Sequence, residues 1–100
     1  MPIAIGLTSY VARHYNDWRY YVGYANGAYW CAWFIKDTTK QMPFPGGDYY
    51  RQICISEYEA VPGFDIMSNG TLVVDIPTDS VGGANRYKSV NSGYTWELVV

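Results

Sequence analysis

The stretch WRYYVGYANGAYWCAWFI, residues 18–35, decides the fold of this chain. Its centre, Asn26-Gly27, is the residue pair that best tolerates the two positive φ angles of a type I′ β-turn. With these two residues as the loop, the flanking segments form a β-hairpin in which Ala25 faces Ala28. The pairing continues outward through Tyr24 with Tyr29, Gly23 with Trp30, Val22 with Cys31, Tyr21 with Ala32, and Tyr20 with Trp33.

Neither face of this hairpin is polar along most of its length, whereas antiparallel strands usually bury one face and leave the other to water. One face carries Trp18, Tyr20, Val22, Tyr24, Tyr29, Cys31, Trp33 and Ile35. The other face carries Arg19, Tyr21, Gly23, Ala25, Ala28, Trp30, Ala32, Phe34 and Lys36. We predict that the first face, which is the more continuously apolar one, forms the domain core. The second face must also be covered.

The composition indicates one compact domain spanning residues 1–100. Hydrophobic residues make up 49% of the chain and charged residues 16%, which is the opposite of the balance found in disordered chains. Aromatic residues make up 18%, including eleven Tyr and four Trp. Because Tyr and Trp combine an apolar ring with a polar group, they suit surfaces that are wet part of the time. We interpret this enrichment as the main indication of a binding function.

Charge and hydropathy argue against several partners and locations. The net charge is −2, and the seven Lys and Arg residues are dispersed, so no basic patch for nucleic acid is visible. No apolar run reaches the roughly 20 residues of a membrane-spanning helix. The first residues lack the basic segment of a signal peptide. The sequence therefore predicts a cytoplasmic or virion protein that contacts neither nucleic acid nor membrane.

Period-two alternation predicts strands in the rest of the chain. Ile3, Ile5 and Leu7 alternate with Ala4, Gly6 and Thr8, which predicts a first strand of about eight residues. Turn-forming residues follow at 13–17, and another strand is expected over residues 49–58. Gly and Pro make residues 37–48 and 77–85 irregular.

Two further hairpins are predicted. One covers residues 64–76 around Asn69-Gly70, with Met67 facing Leu72, and the other covers residues 86–100 around a three-residue loop at 91–93. About seven strands in three hairpins predict an all-β fold, a small antiparallel β-sandwich or barrel.

The sequence offers little catalytic chemistry. Cys31 and Cys54 fall inside predicted strands, where a thiol is usually a small buried hydrophobe, and whether they form a disulfide is left open. His14 is the single histidine, and Glu57 and Glu59 share one face of a predicted strand, as solvated carboxylates commonly do. No spacing of metal ligands and no phosphate-binding loop is present. We therefore expect no catalytic residue, no metal site and no cofactor.

The second face of the central hairpin is the candidate binding surface. Tyr21, Trp30 and Phe34 stand there over glycine and alanine, and three large aromatic side chains make a patch of about 500 Å². Soluble monomers rarely leave a contiguous apolar patch of more than a few hundred Å² exposed without a use for it. The alternative is that another segment of the same chain packs on this face and buries it. The predicted binding residues, with a charged rim at each end, are Arg19, Tyr21, Trp30, Phe34 and Lys36.

Three functions compete for this surface. The first is a non-catalytic interaction or assembly protein that binds copies of itself, like the small virion accessory proteins, fibre-like domains and inhibitors of viruses and phages. The second is a lectin-like carbohydrate-binding protein, with Tyr21 and Trp30 as the stacking platform and Asp48 or Asp79 as polar partners. The third is a small β-barrel enzyme that uses His14 or the Glu57 and Glu59 pair.

Overall fold

The structure is a computed structural model that describes residues 7–16, 18–35 and 50–100. Its strands are β1 (Thr8–Tyr15), β2 (Trp18–Ala25), β3 (Ala28–Ile35), β4 (Tyr50–Ile55), β5 (Gly63–Ile66), β6 (Leu72–Pro77), β7 (Ala84–Ser89) and β8 (Glu97–Val99). They form two four-stranded antiparallel sheets: sheet A in the order β1-β2-β3-β4 and sheet B in the order β5-β6-β7-β8. The predicted all-β fold is confirmed, and the described residues contain no helix.

The central hairpin has the predicted register at every pair. Ala25 faces Ala28 next to the turn, and the pairing continues without a shift to Trp18 and Ile35. Asn26 and Gly27 have φ angles of 50° and 76°. Both angles are positive, as a type I′ turn requires, and this turn matches the twist of the strands it joins. The two-residue loop therefore sets which side chains of this hairpin share a face.

The core lies between the two sheets. The inner face of sheet A contributes Tyr20, Val22, Tyr29, Cys31 and Trp33, and sheet B contributes Phe64, Leu72, Val74 and Ile76. In β6 buried and half-buried residues alternate, as expected for a strand with one face toward the core. The hairpin face predicted as the core is therefore the one that packs against sheet B.

The first strand differs from the prediction. Residues 1–6 lie outside the described part of the chain, and β1 starts at Thr8, where the predicted strand ended. The predicted turn at 13–17 is shorter than expected, because β1 continues to Tyr15, which pairs with Trp18, and the turn begins at Asn16. Asn16 has a φ of 52°, which asparagine tolerates better than most residues. Arg13 and His14, two of the residues that suggested a turn, instead belong to the edge strand β1, where both are exposed.

A bulge brings β1 close to β2. The register shifts between Thr8 and Val11, and Ser9 within this shift has a φ of 51°. A Cβ atom added to Gly23 would lie 2.7 Å from the Cβ of Tyr10 and 3.0 Å from that of Leu7. Gly23 is therefore required by the close passage of β1, a role that its predicted pairing with Trp30 did not reveal.

The hairpin of β5 and β6 forms with a register one residue away from the predicted one. Leu72 faces Ile66 and not Met67. The Met67 amide donates to the Thr71 carbonyl, so the loop has three residues and ends at Gly70, whose φ is 91°. The Asn69 carboxamide oxygen accepts the Thr71 amide and shapes this longer loop. The predicted two-residue turn is corrected accordingly.

The connection between β7 and β8 is also longer than predicted. β8 begins at Glu97, so residues 90–96 form the loop in place of the predicted three residues. The Asn91 side chain organises this loop, because its oxygen accepts both the Thr95 amide and the Ser89 hydroxyl. The predicted irregular segment 77–85 contains the start of β7, while the predicted irregular segment 37–48 lies outside the described residues.

Strand β4 is shorter than the predicted strand over residues 49–58 and ends at Ile55. Glu57 and Glu59 consequently lie in the segment that links sheet A to sheet B and do not share a strand face. The Ser56 amide, which follows β4 directly, donates instead to the Gly27 carbonyl in the central turn.

Candidate interaction surface

The side of sheet A that points away from sheet B is the candidate surface, called here the outer face of sheet A. Residues opposite one another in a sheet point to the same side. The register pairs Tyr21 with Ala32, Gly23 with Trp30, Trp30 with Gln52, and Ala28 with Ile55. Tyr10 joins them from β1, because its ring lies 5.8 Å from that of Tyr21 in an edge-on arrangement.

The exposure of this face is graded. Ala28 and Ala32 are buried and form a floor, while Tyr21 and Trp30 are half-buried. The Trp30 indole N–H donates to the Ala25 carbonyl at 2.8 Å, which fixes the orientation of its ring. Toward the two edges, Tyr10 is 52% exposed and Ile55 is 78% exposed. An apolar band therefore runs from Tyr10 on β1 to Ile55 on β4, with the polar, exposed Gln52 opposite Trp30 on β4.

The predicted binding residues are placed as follows. Tyr21 and Trp30 lie within the band, and Arg19 lies at its end, where its Nε–H donates to His14 Nε2 at 3.1 Å. Phe34 faces Arg19 in the register. Lys36 lies outside the described residues.

Tyr10 and Ile55 were missed by the sequence analysis. Period two alone does not show which strands flank a hairpin, and the predicted first strand ended before Tyr10.

The outer face of sheet B has a different character. Two nitrogens of the Arg86 guanidinium donate to the two carboxylate oxygens of Asp75 at 2.8 and 3.2 Å. The Lys88 ammonium lies 3.5 Å from a Glu97 carboxylate oxygen. A shallow groove of about 370 Å³ opens beside the first pair, lined by Phe64, Asp65, Met67, Val73, Asp75 and Arg86. This face is charged and suited to water.

Several tyrosines hold the connections of the fold. The Tyr29 hydroxyl donates to the Tyr58 carbonyl at 2.8 Å and accepts the Ala60 amide at 3.0 Å. The Tyr24 hydroxyl donates to the Ser56 carbonyl at 2.9 Å. Both hydroxyls fix the linker between the sheets, and burial raises the pKa of Tyr29 above its usual value.

A third tyrosine hydroxyl serves the connection between β5 and β6. Tyr15 donates to the Ser68 carbonyl at 3.1 Å. Part of the tyrosine enrichment therefore serves the fold itself, which limits its use as a sign of binding.

Both cysteines are free thiols, which answers the question of a disulfide. Cys31 is completely buried, and the loss of water around it raises the pKa of its thiol far above the usual range. Burial also raises the pKa of Cys54, with a smaller opposing effect from a hydrogen bond with Tyr87. A thiolate is the form that attacks or binds metal, so neither cysteine is set up as a nucleophile.

The polar residues considered for catalysis have local roles. His14 is exposed and accepts the hydrogen bond from Arg19. The Glu59 carboxylate accepts the hydroxyls of Thr8 at 2.6 Å and Ser9 at 2.8 Å, and these two bonds lower the pKa of Glu59. One Asp79 oxygen accepts two backbone amides within its own loop. Among the described residues, no group of three His, Cys, Asp or Glu is arranged to hold a metal ion.

Comparisons with known proteins give no functional assignment, so the functional proposal is based on the outer face of sheet A. The chain matches no family model, and no curated protein or solved structure shows significant similarity to it. Within the described ranges, no helix has the length and apolar character needed to span a membrane.

Proposed function

We propose that the protein is a non-catalytic interaction module that uses the outer face of sheet A to bind another copy of the same chain. The observation that carries the proposal is the apolar band, in which Tyr10 and Ile55 are exposed on either side of half-buried Tyr21 and Trp30. Large apolar patches on small domains mark contact surfaces. The charged outer face of sheet B provides the contrast within the same molecule.

The chemistry of the band supports a protein partner. Tyr and Trp are enriched at protein interfaces and dominate their energetics, while charged residues concentrate at the rim. Arg19 and His14 supply such a rim at one end of the band. Four strands about 4.8 Å apart and about 25 Å long present roughly 500 Å², less than the roughly 800 Å² that each partner buries in a standard interface. We therefore expect an affinity in the micromolar range.

Carbohydrate binding remains a second prediction with less support. A lectin site needs polar groups beside its aromatic platform, and Asp79 uses one carboxylate oxygen to fix a loop of sheet B. The other proposed partner, Asp48, lies outside the described residues. The assembly function needs neither aspartate. We assign the assembly function to a small accessory or fibre-like module. Its viral or phage origin and its cytoplasmic or virion location remain predictions.

The experiment that tests the proposal measures assembled mass by analytical ultracentrifugation at micromolar concentration. The wild type should form a dimer, and Trp30→Ala should shift it to the monomer. The double variant Tyr10→Ser with Ile55→Ser provides a second test that spares the floor, because both side chains are exposed. Val99→Ser on the outer face of sheet B is the matched control and should assemble like the wild type. A wild type that stays monomeric throughout would overturn the proposal.

A further inference from the structure

Sheet B ends in two edge strands, β5 and β8, which differ in whether other described residues occupy their free sides. We infer that β8 pairs in the antiparallel sense with β8 of a second copy of the chain, about a two-fold axis at Leu98. The two sheets B then join into one continuous sheet. This contact is separate from the outer face of sheet A and does not rest on the proposed function.

The free side of β5 is closed by one of its own side chains and by β1. The Met67 amide donates to the Thr71 carbonyl, so the main-chain groups of the preceding residue, Ile66, point away from β6. The Asp65 carboxylate accepts the Ile66 amide at 2.9 Å. Strand β1 also packs beside β5. An unpaired edge is a template for another strand, and these contacts block that template at β5.

The direction of the main-chain groups at the other edge follows from the register. Successive residues of an antiparallel strand direct their amide and carbonyl alternately to the two sides. The Thr78 amide donates to the Gly83 carbonyl, next to the last pair of β6 and β7. Counting from this bond in steps of two, Tyr87 bonds to β6. Its neighbours Arg86 and Lys88 therefore direct their main-chain groups to β8.

Leu98 directs its amide and carbonyl away from the rest of sheet B. Its neighbours Glu97 and Val99 face the two residues of β7 that are directed to β8. No hydrogen bond between described residues reaches the outward groups of Leu98. Leu98 is 48% exposed and Val99 is 40% exposed, so this edge is open. Strand β8 also lacks the lysine, proline or bulge that commonly protects an edge strand.

A two-fold axis at Leu98 makes this edge complementary to itself. Leu98 then faces Leu98 of the other copy, and each amide donates to the carbonyl of the other. Glu97 faces Val99 of the other copy, so no like charges lie opposite one another. An axis at Glu97 would place two carboxylates directly opposite, which destabilises a strand pair. An axis at Val99 would leave Glu97 and Leu98 facing residues beyond the end of β8.

The contact joins two copies and is weak. Because the β5 edge is closed, each sheet B offers one edge, and a contact that uses the same edge on both copies ends at two subunits. Strand β8 has three residues, so the pairing buries much less than the roughly 800 Å² that each partner buries in a standard interface. We expect a dissociation constant in the millimolar range, above the micromolar range of the outer face of sheet A.

Amide hydrogen exchange, measured residue by residue by NMR, tests this pairing in the Trp30→Ala variant. That substitution removes the contact through the outer face of sheet A, so the two contacts are measured separately. The Leu98 amide should exchange rapidly at micromolar concentration and severalfold more slowly at millimolar concentration, because only the pair of copies occupies it. The Val99 amide, which bonds to β7, should be protected at both concentrations.

Two substitutions at the axis distinguish this contact from others. Leu98→Pro removes the outward amide and keeps the bonds of Glu97 and Val99 to β7, an arrangement in which edge strands tolerate proline. It should abolish the rise in sedimenting mass at millimolar concentration. Leu98→Lys keeps the amide and places two ammonium groups opposite each other, so it should weaken the pairing about tenfold. Leu98→Thr, which keeps the amide and adds no charge, is the matched control and should still pair.

Three results would overturn the inference. A Leu98 amide that is protected at every concentration would mean that another segment of the same chain covers this edge. A Leu98 amide that exchanges rapidly at every concentration would mean that β8 stays unpaired. Association that neither Leu98→Pro nor Leu98→Lys changes would place the contact elsewhere on the chain. None of these results bears on the proposed function, which depends on whether the wild type forms a dimer at micromolar concentration and Trp30→Ala does not.

Discussion

The outer faces of sheets A and B belong to similar four-stranded antiparallel sheets and yet carry opposite chemistry. The outer face of sheet B pairs Asp75 with Arg86 and Lys88 with Glu97, as a solvated sheet surface commonly does. The outer face of sheet A holds aromatic rings above buried alanines. Because both faces come from one chain of one composition, the difference between them supports the proposed contact surface more strongly than the aromatic content of the whole chain does.

The strongest test of the comparison uses two tryptophans of β3. Trp33 is 3% exposed in the core, and its ring packs edge-on against Tyr94 at 5.1 Å. Trp33→Ala should lower the free energy of unfolding by about 3–5 kcal/mol, because it opens a large cavity. Trp30→Ala should have a clearly smaller effect on stability, since its ring is half-exposed. Urea unfolding of both variants checks this, and equal losses would mean that both faces are internal.

The second test removes the turn that assigns side chains to the two faces. A one-residue slip of the register would exchange the inner and outer faces of the central hairpin. Gly27→Val should destabilise the domain by about 1–3 kcal/mol, because a β-branched residue resists a φ of 76°. Gly82 also has open space and a strained φ, 98°, but its loop does not set the register of the central hairpin. Gly82→Val is therefore the control that measures the cost of backbone strain alone in the same melts.

The third test separates tyrosines of the fold from tyrosines of the surface. Tyr29→Phe leaves the Tyr58 carbonyl and the Ala60 amide without their partner and should cost about 1–3 kcal/mol. Tyr10→Phe makes the same chemical change on the outer face of sheet A, where the ring is half-exposed, and should leave thermal stability almost unchanged. A Tyr29→Phe variant as stable as wild type would show that this hydroxyl does not hold the linker.

The smallest expected effect concerns pH. The hydroxyls of Thr8 and Ser9 lower the pKa of Glu59 in the folded protein, so their stabilisation is fully present above the usual glutamate pKa. It is lost as the pH falls below about 4 and passes through the lowered value. Glu59→Gln should therefore show a slightly weaker loss of stability on acidification than wild type. Urea midpoints at neutral and acid pH measure this difference, and identical slopes would contradict it.

The sequence predicts the strand register of one hairpin correctly and that of another incorrectly, because the two loops differ in length. Asn26-Gly27 joins two strands of eight residues each, and every predicted pair of that hairpin is present. The hairpin of β5 and β6 carries the same residue pair, Asn69-Gly70, but its loop has three residues. The observed register therefore differs from the predicted one by one position. An Asn-Gly pair is compatible with both loop lengths, and the observed register differs from the predicted one by placing Phe64 opposite Val74 in the core.

The candidate surface could be predicted only as far as the hairpin reaches. The alternation of side chains along β2 and β3 predicts that Tyr21 and Trp30 share the outer face, and this step needs no knowledge of the tertiary structure. Tyr10 and Ile55 join them through the pairing of β1 with β2 and of β3 with β4, which depends on contacts between segments far apart in the chain. The edge strand β1 was missed because its exposed polar residues resemble those of a turn.

The strand order has a consequence for how this chain folds. Every hydrogen-bonded neighbour in both sheets is also a neighbour in sequence, so each sheet can form from successive hairpins. Local contacts of this kind shorten the search for the native topology and speed folding relative to β-folds with crossed connections. We therefore expect the two sheets to dock after they form, joined by the linker that Tyr24 and Tyr29 hold in the folded protein.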